Sequence, residues 1–248
     1  CFVSGDDPVD GVVGACGFGQ VMPFVGLAFH FIPYASQGAP LNSRLMADHY
    51  FSAQPSSPEE LRRIRVVLAG REVDVTTASG VFSPGHLDKG TEVLLANSPA
   101  APPGGDFLDV GCGWGAISLD LAMQSPHARV WALDVNERAL DLVRRNAEEL
   151  GLDNVHAVTA DQIPSDIAFR TIRSNPPIRI GKPALHGLLE AWLPRLDVHG
   201  DAYMVVQKNL GSDSLQRWID DTLPDEFSTH RHAMSKGFRV LKVRRHAA

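Results

Sequence analysis

Three glycines alternate with other residues in a short segment that follows an apolar stretch. The segment consists of Asp109, Val110, Gly111, Cys112, Gly113, Trp114 and Gly115. Such glycines let the backbone turn sharply and approach a ligand without interference from a Cβ atom. A helix that begins directly afterwards points its first amide groups at whatever ligand lies there. Gly111, Gly113 and Ala116 also fit the pattern G-x-G-x-x-[G/A], so a nicotinamide enzyme has to be considered.

Two acidic residues end the next two apolar segments. Asp134 closes the segment VWALD, 19 residues after Gly115. A carboxylate at this place accepts hydrogen bonds from ribose hydroxyls in sites for NAD and for S-adenosylmethionine, so it indicates a nucleoside without selecting one. Asp161 ends the following segment and is suited to bind an adenine amino group, although Asp is also a common turn former at strand ends.

The sequence Ser174-Asn175-Pro176-Pro177-Ile178 distinguishes between these cofactors. The two prolines fix the backbone and remove two N–H donors, so the surroundings of Asn175 are rich in carbonyl oxygens. Carbonyl oxygens suit a planar NH₂ group, because they hold both of its hydrogens and direct the nitrogen lone pair at an electrophile. Positioning of the two reacting atoms about 3–3.5 Å apart then supplies much of the rate. Hydride transfer has no use for this arrangement, so the segment favours group transfer to an amino nitrogen.

An alternation of strands and helices must position these residues. We predict strands over residues 107–111, 130–134, 155–159, 169–174 and 202–207, and helices over 116–124, 137–150, 183–196 and 214–222. This alternation predicts a mostly parallel sheet that is covered on both faces. A closing strand pair over 226–233 and 238–244 predicts an antiparallel edge. Upstream, the pattern predicts two short strands within 59–80 and a short helix over 88–95.

Composition excludes several classes of protein. The chain has 248 residues, 23 basic and 29 acidic side chains and a net charge of −6, so it is not a basic coat protein for nucleic acid. Its three cysteines form no Cys-x-x-Cys pair, which excludes a disulfide scaffold and a cysteine-rich zinc module. No metal-ligand spacing is present, and a reducing, cytoplasmic setting is expected.

The first 45 residues differ from the rest of the chain. They contain only four charged side chains, and their apolar run over 17–34 is interrupted by Pro23 and Pro33. The start is acidic, unlike that of a signal peptide, and the run is short for a membrane span. We therefore expect 1–45 to be a non-native or disordered leader, 46–100 a β-rich segment with a short helix, and 101–248 the cofactor-binding catalytic domain.

The order of these motifs resembles that of class I S-adenosylmethionine-dependent methyltransferases that act on amino groups. A block that runs from Val81-Phe82-Ser83 through Leu87-Asp88-x-Gly90-Thr91 to Leu95 is similar, more narrowly, to the "methyltransferase small" family. That family includes bacterial ribosomal RNA guanine-N2 methyltransferases of the small-subunit type. The resemblance covers about 46–245 and implies a Rossmann-like α/β fold with a seven-stranded sheet, preceded by a short β-rich segment.

The resemblance also implies roles for particular residues. The segment 109–115 should line the methionine part of the cofactor, Asp134 and Val135 the ribose, and Asp161 and Gln162 the adenine. The residues expected to hold the target amine are Asn175, Pro176, Pro177 and Ile178, and Asn175 is also expected to contact the cofactor. Gly90 and Thr91 should cap the cofactor. The family's aromatic residue after Asn-Pro-Pro is Ile178 here, so stacking on a target base, worth about 1–3 kcal/mol, is lost at this position.

The resemblance implies ribosomal RNA or the small ribosomal subunit as the partner, and the distribution of basic residues is consistent with contacts to a phosphate backbone. Two groups of them lack acidic neighbours in sequence: Arg170, Arg173, Arg179 and Lys182, and then Arg231, Lys236, Arg239, Lys242, Arg244 and Arg245. We expect the first group to flank the amine pocket and contact phosphates. Alternative acceptors are an adenine amino group, a protein glutamine amide and a small-molecule amine. A further alternative is a non-catalytic nucleotide-binding module, and the oligomeric state stays open.

Overall fold

The computed structural model describes residues 60–247. The expected leader at 1–45 lies outside the described residues. The described part opens with an antiparallel hairpin of β1 (Leu61–Leu68) and β2 (Arg71–Ala78), which forms a separate two-stranded sheet. Helix α1 (Lys89–Asn97) follows, as the sequence predicted, and begins one residue after the capping residue Asp88.

From residue 105 strands and helices alternate. The order is β3 (Gly105–Val110), α2 (Ala116–Gln124), β4 (Ala128–Leu133), α3 (Glu137–Glu149), β5 (Val155–Val158), β6 (Phe169–Ser174), α4 (Lys182–Trp192), β7 (Leu196–Gln207), α5 (Ser212–Thr222), β8 (Phe227–Ser235) and β9 (Phe238–Arg245). In the part that the structure describes, no helix has the length and apolar character needed to cross a membrane.

The seven strands β3–β9 form one sheet in the order β5-β4-β3-β6-β7-β9-β8. Strands β3 to β7 pair in parallel, and β9 runs antiparallel to both β7 and β8 at one end of the sheet. Helices cover both faces, so the central strands are buried and apolar. This is the predicted Rossmann-like fold with its antiparallel edge pair.

The boundary between α4 and β7 differs from the prediction. We predicted a helix through residue 196 and a strand from 202, whereas α4 ends at Trp192 and β7 already begins at Leu196. Pro194 cannot donate an amide proton and therefore ends the regular helix in a 3₁₀ turn. Within β7, His199 has a φ of 65°, and the pairing with β6 shifts register nearby. This irregularity breaks the alternation by which a strand is recognised in a sequence.

Two side chains of the sheet domain fasten the N-terminal hairpin. Asn146 on α3 accepts from the Thr76 amide at 2.7 Å and donates to the Thr76 carbonyl at 2.9 Å. Asp120 on α2 accepts from the Ala69 amide at 2.8 Å. Both side chains are buried, so these bonds are shielded from water. They bring the loop between β2 and α1 over the start of α2.

Candidate active site

The glycine segment forms a tight turn between β3 and α2. Gly111, Gly113 and Gly115 all have positive φ angles, of 78°, 54° and 101°. The amides of Gly111 and Cys112 donate to the carbonyl of Leu133 at the end of β4. This pairing places the turn beside the end of the second predicted strand, as the sequence indicated.

The turn leaves room for a ligand. A Cβ atom built on Gly113 would meet nothing closer than the Cβ atom of Phe82, 4.0 Å away. Gly115, which caps α2, offers no side chain to the first amides of that helix. Cys112 is buried beside the turn, and this burial raises the pKa of its thiol well above the usual range. It therefore stays a neutral thiol beside the turn.

Asp109 lies beneath the turn rather than in the open. Its Oδ2 accepts from the amide and the hydroxyl of Ser118 at 3.0 and 2.6 Å. Its Oδ1 is buried and has no partner among the described residues. Burial, and to a lesser extent the charge of Asp134, raises the pKa of Asp109 to about 7. The side chain thus fixes the start of α2 from below and keeps one acceptor unused.

Asp134 follows β4 and faces the turn. One carboxylate oxygen accepts from the Gly113 amide at 3.0 Å and the other accepts from the Asn136 amide at 3.0 Å. Burial raises the pKa of this carboxyl group. The residue is half-buried and Val135 is exposed, so the remaining lone pairs of the carboxylate stay available to ribose hydroxyls.

Asp161 and Gln162 lie on an exposed turn after β5. The Thr159 hydroxyl donates to Asp161 at 2.5 Å, and Gln162 accepts from the Thr159 amide at 2.9 Å. The side chain of Gln162 thus forms a capping box with Thr159 at the start of a short 3₁₀ helix. Both residues are exposed at the same edge of the sheet as Asp134, where the predicted adenine contact remains a prediction.

The side-chain amide of Asn175 is held from two directions. Its Nδ2 donates to Asp88 Oδ2 at 2.9 Å and to Thr91 Oγ1 at 3.0 Å. Ser174 donates from its hydroxyl to the Val110 carbonyl at 2.6 Å, which fastens the end of β6 to the end of β3. Asn175 is therefore fixed next to the glycine turn, with both amide hydrogens engaged on the side away from its carbonyl oxygen.

The prolines and Ile178 lie beside this amide. Pro176 is buried, and Pro177 Cδ lies 3.7 Å from the position of a Cβ atom on Gly111. Ile178 begins a 3₁₀ turn and packs, half-buried, against the core on the side of α4. Of the four residues predicted to hold the target, Asn175 lines the cleft described next.

One small cleft joins Asn175 to the glycine turn. Its lining residues include Gly111, Gly113, Asp88, Thr91 and Asn175. Phe82, which is 50% exposed, forms part of its rim. The sequence motif contained Phe82, Asp88 and Thr91, but sequence reasoning gave Phe82 and Asp88 no role and assigned Thr91 to the cofactor. Gly90 is buried against Asn175 and Phe238 and does not line the cleft.

Part of the predicted basic surface is absent from this edge. Arg173 is buried, pairs with Asp120 at 3.6 Å and donates to the Pro99 carbonyl. Arg170 lies near the start of β6, at the opposite end of that strand from Asn175. The prediction that both residues flank the amine pocket was wrong. Alternate side chains of a strand point to opposite faces of the sheet, and that of Arg173 points into the protein interior. The two ends of a strand lie at opposite edges of the sheet, so Arg170 is far from Asn175. Arg179 and Lys182 are exposed directly after the Asn-Pro-Pro segment.

The C-terminal basic residues are mostly engaged in ion pairs. The pairs are Lys236–Glu92, Arg239–Asp213, Lys242–Asp201, Arg244–Asp201 and Arg245–Glu226. These cations neutralise acidic side chains of the same fold. The exposed bases at the carboxyl ends of β6 and β7 are therefore Arg179, Lys182 and Lys208.

A family model described as the methyltransferase small domain matches residues 72–242. The chain belongs to this family. The match includes the glycine turn, both acidic strand ends and the Asn-Pro-Pro segment.

Relatives and solved structures agree with this membership. The chain is 34% identical over 203 residues to the uncharacterized protein YbxB of Bacillus subtilis, covering 81% of this chain and all of that protein. It is 35% identical to the ribosomal RNA small subunit methyltransferase C of Aeromonas hydrophila, over 59% of this chain and 44% of that protein. The chain thus spans less than half the length of that methyltransferase.

The T. thermophilus 16S rRNA N2 methyltransferase, solved with AdoMet and guanosine, has the same fold. It superposes with a TM-score of 0.66 at 21% identity, over 77% of this chain and 52% of that chain.

The cofactor of this methyltransferase is S-adenosylmethionine. The residues present fit it: a turn free of side chains, an unused buried oxygen on Asp109, and a half-buried carboxylate at Asp134. The glycine turn and Asn175 both line the cleft, so the arrangement suits transfer between two bound groups.

Proposed function

We propose that this chain methylates the N2 amino group of a guanine in small-subunit ribosomal RNA. The observation that carries the proposal is the position of Asn175, whose amide nitrogen is held by Asp88 and Thr91 beside the glycine turn. This leaves the amide oxygen as the group that accepts from a target NH₂. An exocyclic amino group of a base is flat and has two hydrogens to donate, which matches such an acceptor.

The residues of the chain contribute positioning rather than strong base chemistry. S-adenosylmethionine supplies an electrophilic methyl carbon bonded to a sulfonium. Asn175 Oδ1 and the neighbouring main-chain carbonyl accept the two amine hydrogens and aim the nitrogen lone pair at that carbon. Methyl transfer would break the carbon–sulfur bond of the bound cofactor as the nitrogen–carbon bond forms, and the nitrogen would then lose one proton to water. Pro176 and Pro177 fix the backbone so that the acceptors do not rotate away.

Two features favour a nucleic-acid base over a small amine. Arg179 and Lys208 follow β6 and β7, Lys182 begins α4, and all three are exposed, which supports contacts to phosphates around the cleft. Phe82 presents a half-exposed ring at the rim, which offers the stacking surface that Ile178 lacks. A base that reaches Asn175 has to leave its stack.

Methyl transfer to small ribosomal subunits from a strain that lacks the protein tests the proposal. Labelled methyl groups should appear in RNA as N2-methylguanosine after nucleoside analysis. Asn175→Ala should lower kcat by at least about 1,000-fold, because the acceptor for the amine is lost, and should leave the S-adenosylmethionine Kd within a few-fold. Label in protein, in adenine or in a small molecule would overturn the assignment to guanine N2, and tighter binding of NAD would overturn the enzyme class.

A charge reversal tests the RNA contact separately. Arg179→Glu combined with Lys182→Glu should weaken RNA binding and reduce the slope of its salt dependence by about two. Arg170→Glu is the matched control, because this exposed arginine lies at the other end of β6. Equal effects of the two changes would contradict a phosphate contact at this edge.

A further inference from the structure

We infer that Asp88 and Thr91 are positioning residues that set which face of the Asn175 amide meets the target. This inference rests on the proposed function for its chemical meaning. The two residues lie 87 and 84 positions before Asn175 and belong to the start of α1, outside the predicted catalytic domain.

An asparagine amide can present either its oxygen or its NH₂ group. At Asn175 both N–H groups are engaged, one by Asp88 Oδ2 at 2.9 Å and the other by Thr91 Oγ1 at 3.0 Å. A flipped amide would place its oxygen against the carboxylate of Asp88, and two acceptors repel each other. The hydrogen-bond network therefore assigns the orientation. The amide oxygen is left for the cleft.

Asp88 is itself held in place. Its Oδ2 accepts from the amides of Gly90 and Thr91 at 2.7 and 3.1 Å, so it is the N-cap of α1. Thr91 is only 5% exposed and follows within the first turn of that helix. One carboxylate oxygen thus receives three donors. The cap of α1 and the orientation of Asn175 depend on the same atom.

The arrangement adds two effects to the reaction. It removes the rotation of the Asn175 side chain before the target arrives, so less ordering is needed at binding. The charge on Asp88 also makes its bond to Asn175 stronger than one between neutral groups. Loss of either partner should therefore lower kcat while the cofactor affinity changes little, because the glycine turn is untouched.

Two substitutions of Thr91 distinguish a hydrogen-bonding role from a packing role, because the two roles predict opposite rankings of kcat. Thr91→Val keeps the shape and loses the acceptor, whereas Thr91→Ser keeps the acceptor and loses a methyl group. We expect kcat to fall about tenfold in Thr91→Val and less than threefold in Thr91→Ser, with the S-adenosylmethionine Kd within twofold in both. The reverse order would show that Thr91 acts through packing, and would overturn the inference for this residue.

Asp88 allows a second test that keeps α1 capped. Ser and Asn are both good N-caps, but Ser is too short to reach Asn175, whereas Asn still offers an oxygen at the same distance. We expect kcat to fall about 100-fold in Asp88→Ser and less than tenfold in Asp88→Asn, at similar melting temperatures. Equal kcat losses in these two variants would overturn the inference for Asp88.

A readout that needs no substrate separates this inference from the proposed function. In ¹⁵N-labelled protein, the side-chain NH₂ signals of Asn175, assigned by their loss in Asn175→Ala, should exchange slowly with water. Thr91→Val should speed the exchange of one of the two protons. Fast exchange in the wild type would overturn the inference even where methyl transfer is observed. Slow exchange without transfer to ribosomal subunits would leave the amide orientation standing and reject the proposed substrate.

Discussion

The two sides of the cleft are built in opposite ways. The side expected to bind the cofactor, here called the cofactor side, comprises residues 109–115 and Asp134. Residues 109–115 form one continuous segment, Asp134 follows the neighbouring strand, and backbone angles set the shape of the turn. The target side, which comprises Asp88, Thr91 and Asn175, is a cluster of side chains from α1 and the end of β6. Asp88 and Thr91 lie 87 and 84 positions before Asn175 in the chain.

This difference indicates how each side should respond to mutation. Where the backbone forms the cleft, a side chain added at a glycine should disturb the site, and we expect weaker binding of the cofactor. Where side chains form the cleft, removal of a single hydrogen-bond acceptor should disturb the site, and we expect a lower kcat.

The buried carboxyl group of Asp109 should dominate the pH dependence of stability. Its pKa is about 7 in the folded protein, raised by burial, against about 3.8 in the unfolded chain. Between these values the folded state binds more protons, so the free energy of unfolding should fall as the pH rises from 4 to 7. The decrease in the free energy of unfolding that Asp109 contributes is at most on the order of 4 kcal/mol.

Urea denaturation of the wild type and of Asp109→Asn, across pH 4.5 to 8, measures this contribution. The variant is neutral throughout, so its unfolding free energy should depend less on pH. Asp120, whose carboxyl pKa is also raised by burial, is common to both proteins and cancels in the difference, whereas the interaction between Asp109 and Asp134 is part of the measured contribution. Parallel curves would show that Asp109 is ionised in the folded protein.

Gly113→Ala should impair the cofactor side most. The new Cβ atom has space in the protein, since its nearest neighbour lies 4.0 Å away, but it enters the cleft. We expect the S-adenosylmethionine Kd to rise about 100-fold, with roughly 1 kcal/mol lost in stability from the positive φ.

Gly151→Ala is the matched control for this change. Gly151 has a similar φ of 66°, no neighbour within 4 Å of a new Cβ atom, and a position outside the cleft. It should lose similar stability and bind the cofactor as the wild type does. An equal Kd for both variants, measured by calorimetry, would mean that the turn does not contact the cofactor.

The fold and the glycine turn could be predicted from the sequence because their signals are local. Alternating glycines, an aspartate at a fixed distance and the strand–helix rhythm each lie within a few residues of the feature that they indicate. The target side could be predicted only in part. Asn175 was recognised from its prolines, but its contact with Asp88 depends on how α1 packs on the sheet, and one sequence carries no signal for that.

The basic residues also show that a property set by packing between distant elements cannot be predicted from one sequence. Arg173 reads as a surface cation in a run without acidic neighbours, yet it is buried and paired with Asp120. A buried arginine is rare unless it is paired, and the partner lies on another element. Charge patterns along the chain therefore identified Arg179 and Lys182 correctly as exposed bases and failed for Arg173.

Asp134→Asn should have a smaller effect than Gly113→Ala. The variant keeps one acceptor but turns an NH₂ group towards a backbone amide, and it loses the charge that strengthens bonds to ribose hydroxyls. We expect the S-adenosylmethionine Kd to rise about tenfold. Asp141→Asn, at an exposed carboxylate paired with Arg144 on α3, is the control and should bind normally. A change in kcat without a change in Kd would move Asp134 to the target side.

Gly90→Ala should give the smallest effect and the most informative one. In an exposed helix this change stabilises by about 1 kcal/mol. At Gly90 the new Cβ atom would lie 2.9 Å from Asp88 Oδ2, 3.1 Å from Phe238 Cε1 and 3.4 Å from Asn175 Nδ2. The atoms that orient the Asn175 amide would have to separate by a few tenths of an ångström. We expect kcat to fall about fivefold with an unchanged cofactor Kd.

Gly187→Ala supplies the contrast, because Gly187 lies in α4 with no atom within 4 Å of a new Cβ. That variant should gain stability and keep its activity. Because the same substitution is made in two helices, comparison of the two variants separates the effect of close packing from the effect of helix propensity. If Gly90→Ala gained stability as Gly187→Ala does and kept its kcat, the target side would tolerate movement of its side chains. The division between a backbone-built and a side-chain-built half of the cleft would then be wrong.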